Sequence, residues 1–187
     1  MNAARFERAA LLQRLREPRE WDLAVIGGGA TGLGVALDAA ARGLAVVLLE
    51  SEDFAKGTSS RATKLVHGGV RYLAQGDIGL VHEALHERST LLANAPQVAQ
   101  RLPFVVPAYR LYELPFYGAG LKAYDVLAGR HGLGPTELLS PARTQQLLPT
   151  VRRAGLVGGI KYWDGQFDDA RLACLLHARP SSAARWC

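Results

Sequence analysis

Cysteine is almost absent from this chain, since Cys174 and Cys187 are the only two among its 187 residues. Both lie near the C-terminus, and neither has the CxxC spacing of a metal or redox site. This scarcity excludes a disulfide-stabilised scaffold and favours a reducing, cytoplasmic setting.

Long apolar runs are also absent, because no run approaches the roughly 20 residues that cross a bilayer. Any membrane contact is therefore expected to be peripheral, on the inner face of the cytoplasmic membrane. The first residues mix arginines with glutamates and have no apolar core before a cleavage site, so no signal or transit peptide is predicted. Residues 1–20 instead predict an amphipathic lead-in helix, with Phe6, Leu12 and Leu15 on its apolar side and Pro18 beyond its end.

A strong charge of one sign is lacking too. The chain has 22 Lys and Arg against 17 Asp and Glu, which gives a formal net charge of +5. The basic residues are scattered and form no stripe, so nucleic-acid binding is not expected, whereas an anionic ligand is compatible with this charge. With 49% hydrophobic and 21% charged residues, the composition is that of a globular protein with a core.

Glycine, by contrast, is concentrated in the stretch that organises the chain, residues 21–50, WDLAVIGGGATGLGVALDAAARGLAVVLLE. An apolar strand meets a GxGxxG turn, which opens a helix that leads to a second apolar strand. In this pattern Gly27 allows the tight turn, Gly29 lets the backbone approach a pyrophosphate, and Gly32 lets the helix pack closely on the strand. The free N–H groups at the start of the helix would face the diphosphate.

Glu50 ends the second strand, at the expected distance for an acid that binds the ribose of adenosine. Its charge would repel a 2′-phosphate, so FAD or NAD is favoured over NADP. Residues 21–75 are therefore predicted to form the first half of a dinucleotide-binding α/β domain.

A polar segment follows the second strand, and its last part, residues 61–72, reads RATKLVHGGVRY. No hydrophobic period explains this composition, which is that of a loop. Because a ligand of a doubly wound fold binds at the carboxyl ends of the strands, the loop is placed to meet it.

The remainder predicts further helices and strands. Residues 76–154 form a helical insertion, and residues 155–187 a strand and helix that lead back toward the cofactor domain, whose return strands would lie beyond Cys187. The predicted elements are a helix over Asp77–Ala95, an edge strand over Leu102–Leu111, a helix over Phe116–Ala128, a helix opened by Ser140, a strand pair or bulged strand over Gly155–Phe167, and a helix capped by Asp168 and Asp169.

A literal HExxH occurs inside the first of these helices, at His82, Glu83 and His86. On a helix this spacing places both imidazoles on one face beside a general base, as in zinc proteases. No third ligand follows at the metzincin spacing, so a packed or solvated helix face is favoured and no metal is predicted.

Three blocks of the sequence, taken together, resemble the N-terminal part of the FAD-dependent glycerol-3-phosphate dehydrogenases of the aerobic, respiratory type. They are VIGGGATGLGVALDAAARGLAVVLLE, DFAKGTSSRATKLVHGGVRYL and YWDGQFDDARL. The second block is the specific one, because many flavoproteins share the first. After about Leu176 the segment HARPSSAARWC departs from the family pattern, and missing sequence at this point is a hypothesis.

The resemblance implies a Rossmann-like FAD-binding domain of the glutathione-reductase and D-amino-acid-oxidase type, incomplete here and with a helical insertion. It implies oxidation of sn-glycerol 3-phosphate to dihydroxyacetone phosphate, with a hydride passing from the C2 carbon to FAD and electrons passing on to a quinone. The general base, the remaining phosphate ligands and a second FAD segment would lie beyond residue 187. This chain is therefore expected to be an N-terminal fragment that is inactive alone.

The resemblance also assigns site residues. Arg71 and Tyr72 match the substrate side, where a guanidinium fork suits a phosphate or a forming alkoxide. The residues assigned to the cofactor are Gly27, Gly29, Ala30, Thr31, Gly32, Glu50, Ser51, Thr58, Ser59, Ser60, Lys64, Leu65, His67 and Gly68.

Two other functions stay open on the sequence alone. One is another FAD-dependent amine or amino-acid oxidase, which would share the first block. The other is a non-catalytic nucleotide-binding fragment.

Overall fold

The computed structural model describes residues 8–73 and 75–178, except for the side chains of Arg71 and Ala178. Its helices are α1 (Arg8–Arg16), α2 (Ala30–Ala41), α3 (Thr58–Arg61), α4 (Val70–Leu73), α5 (Ile78–Asn94), α6 (Glu113–Ala128), α7 (Pro141–Leu147) and α8 (Asp169–Ala178). Its strands are β1 (Leu23–Ile26), β2 (Val46–Leu49), β3 (Leu65–Val66), β4 (Ala99–Ala108), β5 (Glu137–Leu139) and β6 (Gly158–Phe167). The chain divides into two compact units. The first unit contains residues 8–63 and 168–178 of the described part, and the second unit lies within residues 64–167.

The first unit is a βαβ arrangement. Strands β1 and β2 are parallel, in register from Leu23 opposite Val46 to Ile26 opposite Leu49. The core between helix and strands is made of small and branched apolar side chains, which allow close packing. Its buried members are Leu33, Ala36, Ala39, Ala40, Val46, Leu48, Ala55 and Ala173. Since Ala173 belongs to α8, the last described helix packs in the same core as α2.

Gly43 ends the helix of this unit. It has φ +88°, and its N–H donates to the carbonyl of Ala40 at 3.0 Å. A left-handed glycine just past the last turn is a common way to end a helix, and here it turns the chain toward β2.

The second unit is built around the ten-residue strand β6. On one edge β6 pairs antiparallel with β4, from Ala99 opposite Phe167 to Ala108 opposite Gly158. On the other edge it pairs antiparallel with β3 and with β5. Among the described residues β4 has no second partner, so Pro103 and Pro107 lie on an edge strand, where a missing N–H is tolerated.

Helices α5 and α6 form a small core of their own with Val81, Leu85, Tyr124 and Ala128. The first turn of α5 is capped by Asp77, whose Oδ1 accepts from the N–H of Leu80 at 3.0 Å. This cap, and the apolar period behind it, explain why the longest predicted helix is found within one residue of its expected bounds.

The α/β prediction is confirmed, and three local predictions are wrong. Strand β4 begins at Ala99, three residues before the predicted start, because its register against β6 continues to Phe167. Neither the strand pair nor the bulged strand predicted for residues 155–167 is found, because β6 is one strand in unbroken register with β4. Its glycines make room for neighbours instead of marking a turn: a Cβ on Gly159 would lie 2.8 Å from Oγ1 of Thr144.

The third wrong prediction is the continuous loop over residues 51–72. This segment contains α3, β3 and α4, because β3 completes an edge of the β6 sheet and a local hydrogen bond, from the N–H of Tyr72 to the carbonyl of Gly69, starts α4.

The predicted lead-in helix is seen as α1, which has no buried residue, and Phe6 lies outside the described residues. The four-segment domain division stays a prediction.

None of the helices in the described part of the chain is long and apolar enough to cross a membrane.

Candidate functional site

Two positions of the glycine motif after β1, Gly27 and Gly32, require glycine for different reasons. Gly27 has φ +109°, in the region that favours glycine. A Cβ on Gly32 would lie 2.0 Å from the carbonyl oxygen of Gly27 and 3.4 Å from a methyl of Val25. The first turn of α2 therefore rests directly on the backbone of the preceding turn, which is the close packing that the motif predicts.

Glu50 ties the end of β2 to this turn. Its carboxylate accepts from the N–H of Gly28 at 2.7 Å and from the N–H of Glu52 at 2.9 Å. The side chain is half-buried. A Cβ on Gly28 would lie 2.5 Å from the ring of Phe54 and 3.2 Å from Cβ of Glu50. Gly28, which is not one of the three glycines of the GxGxxG motif, is thus required by packing, a role that the spacing alone left open.

Gly29 differs from its neighbours because it has free space beside it. A Cβ there would meet only the hydroxyl of Ser59, at 3.8 Å. The backbone is extended, with φ −79° and ψ 178°, so a larger residue would not be strained. Ser59 is buried on α3, and its hydroxyl accepts from the N–H of Ala30 at 3.2 Å. The protein itself gives no packing reason for glycine at this position.

A pocket of about 230 Å³ opens beside Gly29. It is lined by Gly29, Glu50, Glu52, Lys56, Gly57 and Arg61. Lys56 forms an exposed ion pair with Glu52, and Arg61 ends α3. A carboxylate, two cations and the N-terminus of α2 thus lie together, and this set of groups suits the adenosine diphosphate part of FAD.

Sequence reasoning missed Lys56 and Arg61 as candidates for this pocket. Both lie in the segment recognised as polar, but only hydroxyl side chains were assigned in its part up to residue 61. The available signal was their spacing, because both cations lie within one helical turn of the predicted hydroxyl residues Thr58, Ser59 and Ser60. When Thr58–Arg61 forms a helix, both cations reach the pocket.

The other predicted residues of the first unit surround this turn. Thr31 and Thr58 are exposed. The hydroxyl of Ser51 donates to Glu50 at 3.4 Å, and that of Ser60 donates to the carbonyl of Ala55 at 2.6 Å. The Ser60 contact holds the loop between β2 and α3.

The second unit contains the remaining predicted residues. Lys64 has φ +62°, an uncommon conformation for a side-chain-bearing residue, and its carbonyl accepts from the N–H of Phe167 at 2.9 Å. Leu65 pairs with Gln166 in the sheet. His67 is exposed, while Gly68, the next residue, is buried.

The two substrate-side candidates lie on α4. Tyr72 is 38% exposed. Gly69 precedes the helix with φ +78°, and a Cβ there would lie 2.9 Å from the ring of Tyr72. Arg71 is placed on this helix by its backbone, and its side chain lies outside the described part.

The HExxH histidines face a separate pocket of about 560 Å³ in the second unit, which also includes Arg130 and His131. The rings of His86 and His131 are 5.0 Å apart, edge to face. No sequence pattern indicated this third histidine, which is 45 positions along the chain from His86. Within residues 8–73 and 75–178, no group of three or more His, Cys, Asp or Glu is placed to hold a metal ion.

We expect His131 to titrate below the ordinary histidine range. Desolvation lowers its pKa, and the charges of His86, Arg130 and His82 lower it further. Because the pKa of His131 is lower in the folded chain than in the unfolded chain, its contribution to the free energy of unfolding is present above the unfolded pKa and is lost as the pH falls from that value through the folded pKa. NMR titration of the imidazole signals measures the shift.

The replacement His86→Gln should raise the pKa of His131, since the electrostatic effect of His86 that lowers this pKa is removed. His67→Gln is the control, because His67 is not among the groups that shift His131. A pKa of His131 that is unchanged by His86→Gln would contradict the contact between the two rings.

Comparison with known proteins places these features in context. Residues 22–183 match the family described as FAD dependent oxidoreductase, DAO. A curated relative, the mitochondrial glycerol-3-phosphate dehydrogenase of Rattus norvegicus, is 49% identical over 172 residues, which are 88% of this chain and 24% of the relative. The chain thus spans about a quarter of the length of that relative.

Two solved structures are similar over most of the chain. The glycerol-3-phosphate dehydrogenase of Bacillus halodurans, complexed with FAD, is 32% identical with a TM-score of 0.66, over 98% of this chain and 29% of that one. The L-alpha-glycerophosphate oxidase of Mycoplasma pneumoniae, with FAD bound, has a TM-score of 0.67 over 89% of this chain and 44% of that one. At 20% identity, the second likeness shows the fold alone.

Proposed function

This chain belongs to the FAD-dependent oxidoreductase family, and on that premise we propose that it forms the FAD-binding part of an enzyme that oxidises sn-glycerol 3-phosphate to dihydroxyacetone phosphate. The substrate is proposed from the 49% identity to the rat glycerol-3-phosphate dehydrogenase and the 32% identity to the bacterial one.

The observation that supports the cofactor part most directly is the contrast between two glycines. Gly32 has no room for a Cβ because of its own backbone neighbours, while Gly29 has room and adopts a conformation open to any residue. A glycine without a packing reason, at the N-terminus of a helix and beside two cations, is explained by a diphosphate that approaches the backbone.

The residues that would hold FAD follow from this geometry. The N–H groups at the start of α2, with Lys56 and Arg61, would bind the diphosphate, and Glu50 would accept hydrogen bonds from the ribose hydroxyls. FAD, when bound, supplies the acceptor for the hydride that leaves the C2 carbon of the substrate. Thr58, Ser59, Ser60, Lys64, Leu65, His67 and Gly68 are proposed to line the rest of the cofactor.

On the substrate side we assign Arg71 and Tyr72. They lie on the short helix α4, which directly follows the HGG segment, residues 67–69, and Tyr72 is accessible to a ligand. A guanidinium is permanently charged and binds a phosphate with two parallel N–H groups. We further propose a quinone as electron acceptor, with peripheral contact to the inner face of the cytoplasmic membrane; both rest on the family resemblance alone.

The experiment is a chimera in which this chain replaces the matching segment of the Bacillus halodurans enzyme, which has been solved with FAD. We expect a yellow protein that reduces a dye with glycerol 3-phosphate. A colourless chimera would contradict the FAD assignment. A yellow chimera that ignores glycerol 3-phosphate and oxidises an amino acid would favour an amine-oxidising enzyme instead.

Replacing Arg71 with alanine in the chimera should raise KM for glycerol 3-phosphate by roughly 10- to 100-fold, as loss of a charge-assisted contact predicts, and should leave the flavin absorbance unchanged. Steady-state dye reduction and the visible spectrum measure the two quantities. Arg152→Ala is the matched control, because Arg152 lies against the ring of Tyr109, far along the sequence from the HGG segment. An Arg71→Ala variant with unchanged KM would remove Arg71 from the substrate site.

A further inference from the structure

The second unit contains a buried charged network that the proposed function does not use. Arg88, Tyr124 and Asp164 are each 1–2% exposed. Nη1 of Arg88 donates to Oδ1 of Asp164 at 2.9 Å and to the hydroxyl of Tyr124 at 3.1 Å, and Nη2 donates to the carbonyl of His131 at 2.9 Å. Three elements, α5, α6 and β6, each contribute one member.

The network reaches the HGG segment through a backbone contact. Oδ1 of Asp164 accepts from the N–H of Gly68 at 3.1 Å and from the N–H of Gly165 at 2.9 Å. Gly68 is buried and lies just past the end of β3, so no strand partner satisfies its N–H. A buried N–H without a partner is costly, and the carboxylate of Asp164 meets this need.

Gly68 also lies close against one member of the network, Tyr124, and against Leu85 of α5. A Cβ at this position would lie 2.2 Å from the hydroxyl of Tyr124 and 2.5 Å from a methyl of Leu85. The backbone of Gly68 is thus pressed against the network, and only glycine allows this approach. The next residues are Gly69, at φ +78°, and α4.

Tyr124 orients the carboxylate. Its hydroxyl lies 3.3 Å from Oδ2 of Asp164. Burial raises the pKa of Tyr124 far above its ordinary value, and the charge of Asp164 raises it further, so the phenol keeps its proton and can donate. With Oδ2 held by Tyr124 and Oδ1 by Arg88, the carboxylate has one orientation toward Gly68.

A stability role alone is a weak explanation for this network. Removing two charges from water costs several kcal/mol per ion, and buried ion pairs can often be replaced by apolar residues without loss of stability. Fixing a loop that would otherwise have several conformations is a role that an apolar pair cannot fill, because an apolar side chain accepts no hydrogen bond from Gly68.

We propose that Asp164, oriented by Arg88 and Tyr124, is a positioning residue that fixes the backbone at Gly68 and thereby the start of the helix that bears Arg71. The catalytic significance of this role rests on the proposed function, since it assumes that Arg71 binds the substrate phosphate. The structural part does not depend on it.

The first test measures amide hydrogen exchange of Gly68 by NMR in the full 187-residue chain, with Asp164→Asn and Asp164→Ala. Both variants leave Arg88 without a carboxylate, but asparagine keeps an oxygen that can accept from Gly68. We expect exchange at Gly68 to accelerate about 10- to 100-fold with alanine and much less with asparagine. The N–H of Val157, bonded to the carbonyl of Ala108 at 2.9 Å, is the internal control and should not change.

Equal acceleration in both variants would overturn the proposal. Exchange at Gly68 would then depend on the charge of Asp164 and not on the oxygen that accepts from the N–H of Gly68. No acceleration in either variant would overturn it as well. If Asp164→Ala lacks a cooperative thermal transition, Tyr124→Phe replaces it, since that change keeps the ion pair and removes only the hydroxyl. Exchange at Gly68 should then rise several-fold, and unchanged exchange there overturns the proposal.

The second test uses the chimera described above. Asp164→Ala should raise KM for glycerol 3-phosphate more than it lowers kcat, and Asp164→Asn should restore most of the loss. A chimera with the native chain that lacks activity would contradict the proposed function, while the exchange result at Gly68 would still decide the positioning role. The link to Arg71 would be overturned by one combination of results. In it, exchange at Gly68 accelerates with Asp164→Ala and is restored with Asp164→Asn, but neither variant changes KM.

Discussion

Replacing Gly32 with alanine is expected to destabilise the first unit by roughly 3 kcal/mol or more, because a Cβ would be forced into a closely packed backbone. The Cβ would lie 2.0 Å from the carbonyl oxygen of Gly27, well inside van der Waals contact. No rotamer change can relieve this overlap, since neither atom belongs to a flexible side chain. Either α2 must move away from β1 or the turn must open. Urea denaturation followed by circular dichroism measures the loss.

Gly34→Ala is the matched control for this prediction. Gly34 lies in the same helix, and a Cβ there meets nothing within 4 Å. Since alanine is favoured over glycine in a helix interior by about 1 kcal/mol, this variant should be as stable as the native chain or more so. A Gly32→Ala variant that unfolds at the same urea concentration as Gly34→Ala would show that the helix does not rest on the turn.

The parts of the fold that sequence could predict are those set by local rules. Asp77 caps α5 and Ser140 caps α7 as their positions suggest, because a cap needs only the three residues that follow it. The turn at Gly27 and the close packing at Gly32 follow from the GxGxxG spacing, since both ends of each contact lie within the motif.

The parts that could not be predicted depend on residues far apart in the chain. Asp164 meets Arg88 across 76 positions, and no periodicity relates a charged residue inside a helix to one inside a glycine-rich strand. The start of β4 at Ala99 is likewise decided by its register with β6. For the same reason the sequence indicated the hydroxyls near Gly29 but not the cations Lys56 and Arg61, whose placement requires α3.

Replacing Gly29 with valine should leave the unfolding transition as in the native chain and abolish FAD binding in the chimera. Gly32→Ala, by contrast, is expected to lower the stability. The extended backbone at this position accepts any residue, and the nearest atom to an added Cβ is the hydroxyl of Ser59 at 3.8 Å. The isopropyl group would occupy the space beside the first N–H groups of α2, where a diphosphate has to approach.

The expected loss in FAD affinity is about 100-fold or more, because two or more charge-assisted hydrogen bonds to phosphate would be prevented and each contributes roughly 1.5–3 kcal/mol. Flavin absorbance after gel filtration, and titration of the apoprotein with FAD, measure it. Gly34→Ala in the same chimera should keep its flavin, which separates steric blockage at the diphosphate from a general effect of side chains on α2. Stoichiometric FAD in the Gly29→Val chimera would place the diphosphate elsewhere, and the open space at Gly29 would then have no ligand to explain it.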